Sequence, residues 1–180
     1  MTEIEKYKIF IEDIIATNNG DTFYNSGAEH ASLVMSKIFS SSNDIVRIHC
    51  GNLKGDVCGD KEYLNSLDNF LSKKNTQLHI LMGINAQEEM NKSLKKTLKF
   101  FQDNYDNKLK IKITQKTFSE SSGNKVHFST GDDKSFRLEY NTEEYMARCS
   151  FNNPKTNKNL AIAFDNLFNN DEVTKNLILE

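Results

Sequence analysis

The chain has 180 residues, 37% apolar and 27% charged, which is enough for one globular domain with a single core. Its formal charge of −2 and pI near 6.1 give no overall electrostatic case for nucleic-acid binding, so only a local basic patch stays open. No apolar run is long enough to span a bilayer and no secretory signal pattern precedes the first predicted helix, so we expect a cytoplasmic protein.

The first quarter of the chain predicts two helices. Apolar residues at helical spacing between Ile4 and Ile15 predict a first helix that ends by the breaker Asn18-Asn19-Gly20. Ser26 to Glu29 has the form of a capping box and predicts the start of a second helix.

A β-α-β unit follows. The run "DIVRIHC" from Asp44 to Cys50 and the run "QLHILM" from Gln77 to Met82 predict two strands, and the apolar stripe from Asp60 to Lys73 predicts the helix between them. Two such strands are expected to be parallel and joined by a right-handed crossover. Ligands bind beyond the carboxyl ends of parallel strands, which are followed here by Cys50-Gly51-Asn52 and Gly83-Ile84-Asn85.

The second half continues the pattern and then changes it. A helix with Met90, Leu94, Leu98 and Phe101 on one face is followed by "KLKIKIT", Lys108 to Thr114, whose strict alternation predicts a strand near a sheet edge. Three antiparallel strands, Lys125 to Thr130, Ser135 to Tyr140 and Met146 to Phe151, precede a helix opened by Asn153-Pro154. The order predicts an α/β fold with a mixed β-sheet sandwiched between helices, divided into residues 1–24, a helix and its connection, and a single domain over 25–180.

Several runs together resemble one half of the phospholipase D-like superfamily, and the resemblance covers most of the chain beyond Asn25. They are "GAEHASLVMSKIF", "DIVRIHCGNL", "YLNSLDNFL", "LHILM", "KVHFSTGDDKSFRLEY" and "SFNNPKTNKNLAIAFDNLF". In that family two halves or two subunits each supply an H-x-K-x-x-x-x-D motif. One histidine attacks phosphorus, the other protonates the leaving group, and the lysines hold the phosphate. The resemblance therefore implies a half-domain, a homodimer or a larger protein partner, and chemistry without metal or cofactor.

His127 matches the histidine of that motif, but Ser129 stands at the lysine position and Lys134 at the aspartate position. Asp132 and Asp133 lie nearby but out of register. Removing one preorganised charge from a transition state costs about 100- to 1000-fold in rate. The degenerate motif therefore predicts the loss of most phosphodiesterase activity, unless Lys125, Lys134 or Arg137 supplies charge from another direction.

The residues around this motif have ordinary interpretations as well as functional ones. Arg137 and Glu139 share one face of a predicted strand, where a solvated or cross-strand ion pair is the ordinary interpretation. The functional interpretation is that an exposed Arg137 binds a phosphate or a carboxylate. His30, in the first turn of its helix, is either a surface residue or part of an anion pocket. Asn52 and Ser129 complete the candidate binding residues, with His127 as the candidate catalytic residue. The spacing of His49, Cys50, Cys58 and His79 predicts no zinc site.

One segment is strongly basic. Between Lys92 and Lys116 there are eight lysines against two aspartates, a formal charge of +6. Four of the lysines, Lys92, Lys95, Lys96 and Lys99, fall on one helical face, which is either a solvated outer surface or a contact for nucleic acid or an acidic protein.

Three functions stay open from the sequence. The favoured one is a phospholipase D-like domain with a degenerate motif that binds a phosphate, a nucleic acid or a protein partner in a bacterial nucleic-acid-processing or defence system. The second is an active metal-independent phosphodiesterase or nuclease that uses His127 across a dimer. The third is a pure scaffold domain.

Overall fold

The computed structural model describes residues 1–180, and its framework is one nine-stranded mixed sheet with helices on both faces. The strands are β1 Phe23–Asn25, β2 Ile45–Cys50, β3 Gln77–Gly83, β4 Leu109–Thr114, β5 Phe118–Ser119, β6 Lys125–Gly131, β7 Ser135–Asn141, β8 Met146–Ser150 and β9 Thr174–Asn176. The helices are α1 Glu3–Ala16, α2 Ala28–Ser41, α3 Asp56–Gly59, α4 Lys61–Ser72, α5 Ala86–Glu89, α6 Lys92–Asn104 and α7 Pro154–Phe168.

The sheet joins a parallel half to an antiparallel half. Its strand order is β1-β8-β7-β6-β2-β3-β4-β9, with the short β5 paired to β6 outside this path. Strands β2, β3 and β4 are parallel, and every other neighbouring pair is antiparallel. The α/β class and the mixed sheet predicted from the sequence are therefore confirmed, and β6 lies at the junction because it pairs with β2 on one side and β7 on the other.

Apolar side chains bury both faces of this sheet. The larger core of 31 residues includes Ile11 and Ile14 of α1 together with the inward faces of α2, α4 and α6. On the other face Phe164 and Phe168 of α7 pack with Leu81. Full burial of one such side chain contributes about 1.5–3 kcal/mol, so these two layers hold the strands in register. None of the helices combines the length and the apolarity that crossing a membrane requires.

Two local features differ from the sequence prediction. Helix α2 has no capping box, because Gly27 with φ 84° precedes it and no side chain caps it. The main-chain N–H of Gly27 instead donates to Glu144 O, so a tertiary contact with the β7–β8 turn sets the start of the helix. The short elements β1, β5, β9, α3 and α5 were not predicted, since two to four residues are too few to display a hydrophobic period.

Asp132, which is out of register with the family motif, has a structural role. Its carboxylate accepts hydrogen bonds from the main-chain N–H groups of Asn43, Asp44 and Ile45 at 2.9 to 3.1 Å. Its own N–H donates to Ile45 O at 2.8 Å. Asp132 therefore ties the β6–β7 turn to the start of β2.

We expect Asp132→Asn to lower the free energy of unfolding by about 1.5 to 3 kcal/mol, the usual value of hydrogen bonds to a charged group. Asparagine tolerates the positive φ of 47° at this position, so the substitution tests the carboxylate and not the backbone. Urea denaturation measures the change. Asp133→Asn, at the exposed neighbouring position, is the matched control, and an equal loss in both variants would contradict the role of Asp132.

Candidate functional site

His127 lies in the middle of the sheet, where β6 passes the carboxyl end of β2. Gly51, the residue after β2, donates its main-chain N–H to His127 Nε2 at 3.0 Å. The other ring nitrogen, Nδ1, lies 3.2 Å from Glu139 Oε1 on the neighbouring strand β7. Because Nε2 accepts a hydrogen bond, the ring proton is assigned to Nδ1, which donates to the carboxylate.

Glu139 also contacts Arg137, and both charged side chains are buried. Arg137 Nη2 lies 2.6 Å from Glu139 Oε2, and the two residues are only 6% and 5% exposed. Arg137 further donates from Nε to Asn25 Oδ1 and from Nη2 to Tyr145 O. Burial by itself raises the pKa of the Glu139 carboxyl, but the hydrogen bond from His127 and the charge of Arg137 outweigh it, so the pKa falls below its usual value of 4.5.

One side of His127 borders a cavity of about 180 Å³, which we call the inner cavity. Five of the candidate residues from the sequence line it: His127, Asn52, Ser129, Arg137 and Glu139. The four on β6 and β7 meet because side chains two residues apart on a strand project from the same sheet face and the register pairs Ser129 with Arg137. Asn52 joins them from the segment after β2. The opposite wall is apolar and includes Met35, Leu53 and Val57.

The other side of His127 borders a second cavity of about 320 Å³, the strand-end cleft. Its lining residues lie at the carboxyl ends of the three parallel strands, in the segments that follow them and at the start of β6: His49, Cys50, Gly51, Gly83, Ile84, Asn85, Thr114, Gln115, Lys116, Thr117, Lys125, Val126 and His127. No aspartate or glutamate lines this cleft, whereas Lys116 and Lys125 do, and both lysines are exposed. The strand-end cleft therefore attracts anions.

His49 adds no charge to the cleft at neutral pH. Burial lowers the pKa of its imidazole to about 4, and the neighbouring His127 contributes in the same direction. The positive charge of the cleft therefore comes from the lysines.

The floor of the cleft requires glycine where β3 ends. The main-chain N–H of Gly83 donates to Gly51 O at 3.0 Å, and a Cβ atom on Gly83 would lie 2.9 Å from the same oxygen. Any side chain at position 83 would therefore push the ends of β2 and β3 apart.

The remaining candidate residues lie elsewhere. His30, in the first turn of α2, packs its ring 4.1 Å from the ring of Tyr7 and lines neither cavity. The four lysines of α6 also line neither cavity. Lys99 forms an ion pair with Asp103 at 3.0 Å. Asn52 lines the inner cavity, and its Nδ2 donates to Glu89 Oε2 at 2.6 Å.

The expectation that Arg137 is exposed was wrong. The alternation of β7 correctly placed Arg137 and Glu139 on one face, but α2 and α3 cover that face, so the pair is buried. Sequence reasoning did not assign Lys116 to the site. The signal for it was present, because Lys116 follows the predicted strand Lys108 to Thr114 at the same carboxyl edge as Asn52 and Asn85.

Comparison with known proteins gives structural matches only. No protein-family model and no curated protein matches the sequence. Among solved structures, the chain is similar to NucT from Helicobacter pylori, with a TM-score of 0.59, 13% identity, and coverage of 87% of this chain and 99% of that one. It is similar to Nuc from Salmonella typhimurium, a phospholipase D family member, with a TM-score of 0.57, 8% identity and the same coverage.

A third match is larger than this chain. TrmBL2, an archaeal chromatin protein described with a novel mode of DNA binding, matches with a TM-score of 0.57 and 11% identity. The match covers 92% of this chain but only 60% of that one, so the chain spans less than two thirds of TrmBL2. With the phospholipase D family member among the matches, these likenesses show that the chain has the phospholipase D-like fold.

The buried ion pair leads to a stability prediction. We expect Arg137→Ala to lower the free energy of unfolding by about 3 to 5 kcal/mol, because it leaves the Glu139 carboxylate buried without its cation. Arg148→Ala, on the adjacent strand β8, removes a more exposed arginine paired with Glu120 and should cost about 0.2 to 1 kcal/mol. Chemical denaturation of the two variants measures the difference, and equal losses would show that burial does not set the strength of the Arg137 pair.

Proposed function

We propose that this chain is a binding or regulatory domain that holds a phosphate-bearing ligand, such as the backbone of a nucleic acid, in the strand-end cleft without cleaving it efficiently. The observation that carries the proposal is the chemistry of the cleft lining, where Lys116 and Lys125 have no carboxylate beside them. The cleft also lies beyond the carboxyl ends of three parallel strands, the usual ligand position in such sheets.

Inefficient cleavage is supported by the surroundings of His127. A histidine attacks through a free ring lone pair, but the lone pair of Nε2 accepts the hydrogen bond from Gly51. Ser129, two residues on along β6, offers a hydroxyl where the family motif has a lysine. Lys134 lies in the β6–β7 turn at the other end of the strand, with its N–H directed to Gly131 O, so it does not replace that charge.

A nucleic acid is the favoured ligand because TrmBL2, which is described as binding DNA, shares the fold. The partner protein, a homodimer, a cytoplasmic location and a bacterial nucleic-acid-processing or defence setting stay predictions. The scaffold hypothesis also stays open, with the lysine face of α6 as its contact surface.

One observation favours the second function, a metal-independent phosphodiesterase. Glu139 orients the imidazole of His127 through Nδ1, which is how an acidic partner prepares a histidine for acid–base or nucleophilic chemistry. A second copy of the chain would then have to supply the second histidine that the resemblance implies.

Charge reversal in the cleft tests the binding proposal. We expect the double variant Lys116→Glu, Lys125→Glu to weaken the binding of inorganic phosphate and of a short single-stranded DNA by about tenfold or more for each lysine, the value of a lost charge-assisted hydrogen bond. Isothermal titration calorimetry at fixed salt measures both ligands.

The double variant Lys95→Glu, Lys96→Glu is the matched control, because it changes the net charge by the same amount on α6, outside both cavities. It should retain phosphate binding. If only the α6 variant loses affinity, the ligand contacts the lysine face and the cleft proposal is wrong.

Hydrolysis of bis-p-nitrophenyl phosphate tests the second function. We expect turnover that is faint and that His127→Ala abolishes. It should also be insensitive to EDTA, because the structure places no group of three or more His, Cys, Asp or Glu residues to hold a metal ion. A shared site would make specific activity rise with chain concentration. Rapid turnover that EDTA abolishes would contradict both the weak-activity expectation and the metal-independent mechanism.

A further inference from the structure

The two cavities at His127 have different chemistry but share a wall. His49, Cys50 and His127 line both of them, so the strand-end cleft and the inner cavity adjoin at these residues. A ligand whose phosphate lies in the cleft therefore has a second, adjoining space for the group attached to that phosphate.

The inner cavity suits a ring with polar edges better than a second phosphate. Met35, Leu53 and Val57 form an apolar wall, which favours a flat apolar surface. The cations facing them are already neutralised, since Arg137 is paired with Glu139 and Lys54 lies 3.2 Å from Glu89.

The polar wall still has hydrogen-bond capacity for a neutral ligand. Arg137 uses Nε and Nη2 in its contacts with Asn25, Tyr145 and Glu139, whereas its Nη1 makes no hydrogen bond within the protein. The hydroxyl of Ser129, on the adjacent strand, also makes no hydrogen bond within the protein. Its oxygen is not fully buried, so it is accessible from the cavity. Carbonyl oxygens and ring nitrogens of a nucleobase are acceptors for donors of this kind.

The sizes of the cavities agree with this division. Sites that enclose a whole drug-sized ligand have volumes of about 300–1,000 Å³. The inner cavity, at about 180 Å³, has room for one part of such a ligand, and the strand-end cleft, at about 320 Å³, has room for the rest.

We propose that the two cavities together bind one nucleotide unit, with the phosphate in the strand-end cleft and the base in the inner cavity. This inference rests on the proposed function, because it assumes that the cleft holds a phosphate, and it adds that the base is recognised. His127 then lies against the sugar that joins the two groups. The nucleotide is either a free mononucleotide or an unpaired nucleotide of a single strand.

Four probes separate the contributions: inorganic phosphate, ribose 5-phosphate, the nucleoside 5′-monophosphates and a short single-stranded DNA. We expect at least one nucleotide to bind about tenfold or more tightly than ribose 5-phosphate. Val57→Trp, which fills the inner cavity from the half-buried helix α3, should abolish that difference and leave the binding of inorganic phosphate unchanged. Calorimetric titration gives each affinity.

A second variant and a control guard against misfolding. Thr142→Trp fills the same cavity from the β7–β8 turn and should have the same effect as Val57→Trp. Ile162→Trp, at a 49% exposed position of α7 that lines neither cavity, should change none of the affinities. Thermal melts show which variants fold.

Each outcome decides between the two proposals. If the mononucleotides gain nothing over ribose 5-phosphate but the DNA loses affinity in the filled variants, the bound unit belongs to a strand. If neither mononucleotides nor DNA respond to the filled variants while phosphate still binds through Lys116 and Lys125, the base site is wrong and the proposed function stands. If phosphate itself does not bind, the proposed function fails and the base site fails with it.

Discussion

The contact between Arg137 and Glu139 is the interaction on which the site depends. An isolated charge in a protein interior costs several kcal/mol, so neither side chain is stable in its buried position without the other. The pair is held by hydrogen bonds to Asn25 on β1, Tyr145 in the β7–β8 turn and His127 on β6. Asn25 is 112 residues away from Arg137 in the sequence, whereas Tyr145 and His127 are close neighbours along the chain. One buried pair therefore links the edge strand, a turn and the candidate residue of the site.

This link determines what His127 is able to do. Glu139 holds the ring proton on Nδ1, and the N–H of Gly51 occupies Nε2, so both nitrogens already have partners in the protein. Under the proposed binding function, His127 is a fixed surface between the two cavities and not a free nucleophile. Binding requires only that the ligand match the shape and charge of the cavities, whereas phosphoryl transfer also requires cations positioned to stabilise the transition state.

The accuracy of the sequence predictions follows from how far each signal extends along the chain. Helix α4 and strands β2 and β3 contain enough residues to show their hydrophobic period, so their positions were predicted closely. Strands β1, β5 and β9 exist because a neighbouring strand pairs with them, and no local pattern of two or three residues reports that. The start of α2 was predicted wrongly for the same reason. Gly27 donates its main-chain N–H to the distant Glu144 O, and no side chain caps the helix.

Residue alternation by itself determined that His127 and Ser129 share one face of β6 and that Arg137 and Glu139 share one face of β7, because side chains of a strand alternate with a period of two. The order of strands and helices likewise determined the α/β class and the parallel arrangement of β2 and β3. Only the tertiary structure decided that this face is buried, that the pair of Arg137 and Glu139 is shielded from water, and that the accessible positive charge of the strand-end cleft lies at Lys116 and Lys125. The physical reason is that burial and charge pairing depend on which helices and loops cover a strand, and those segments approach from remote parts of the chain.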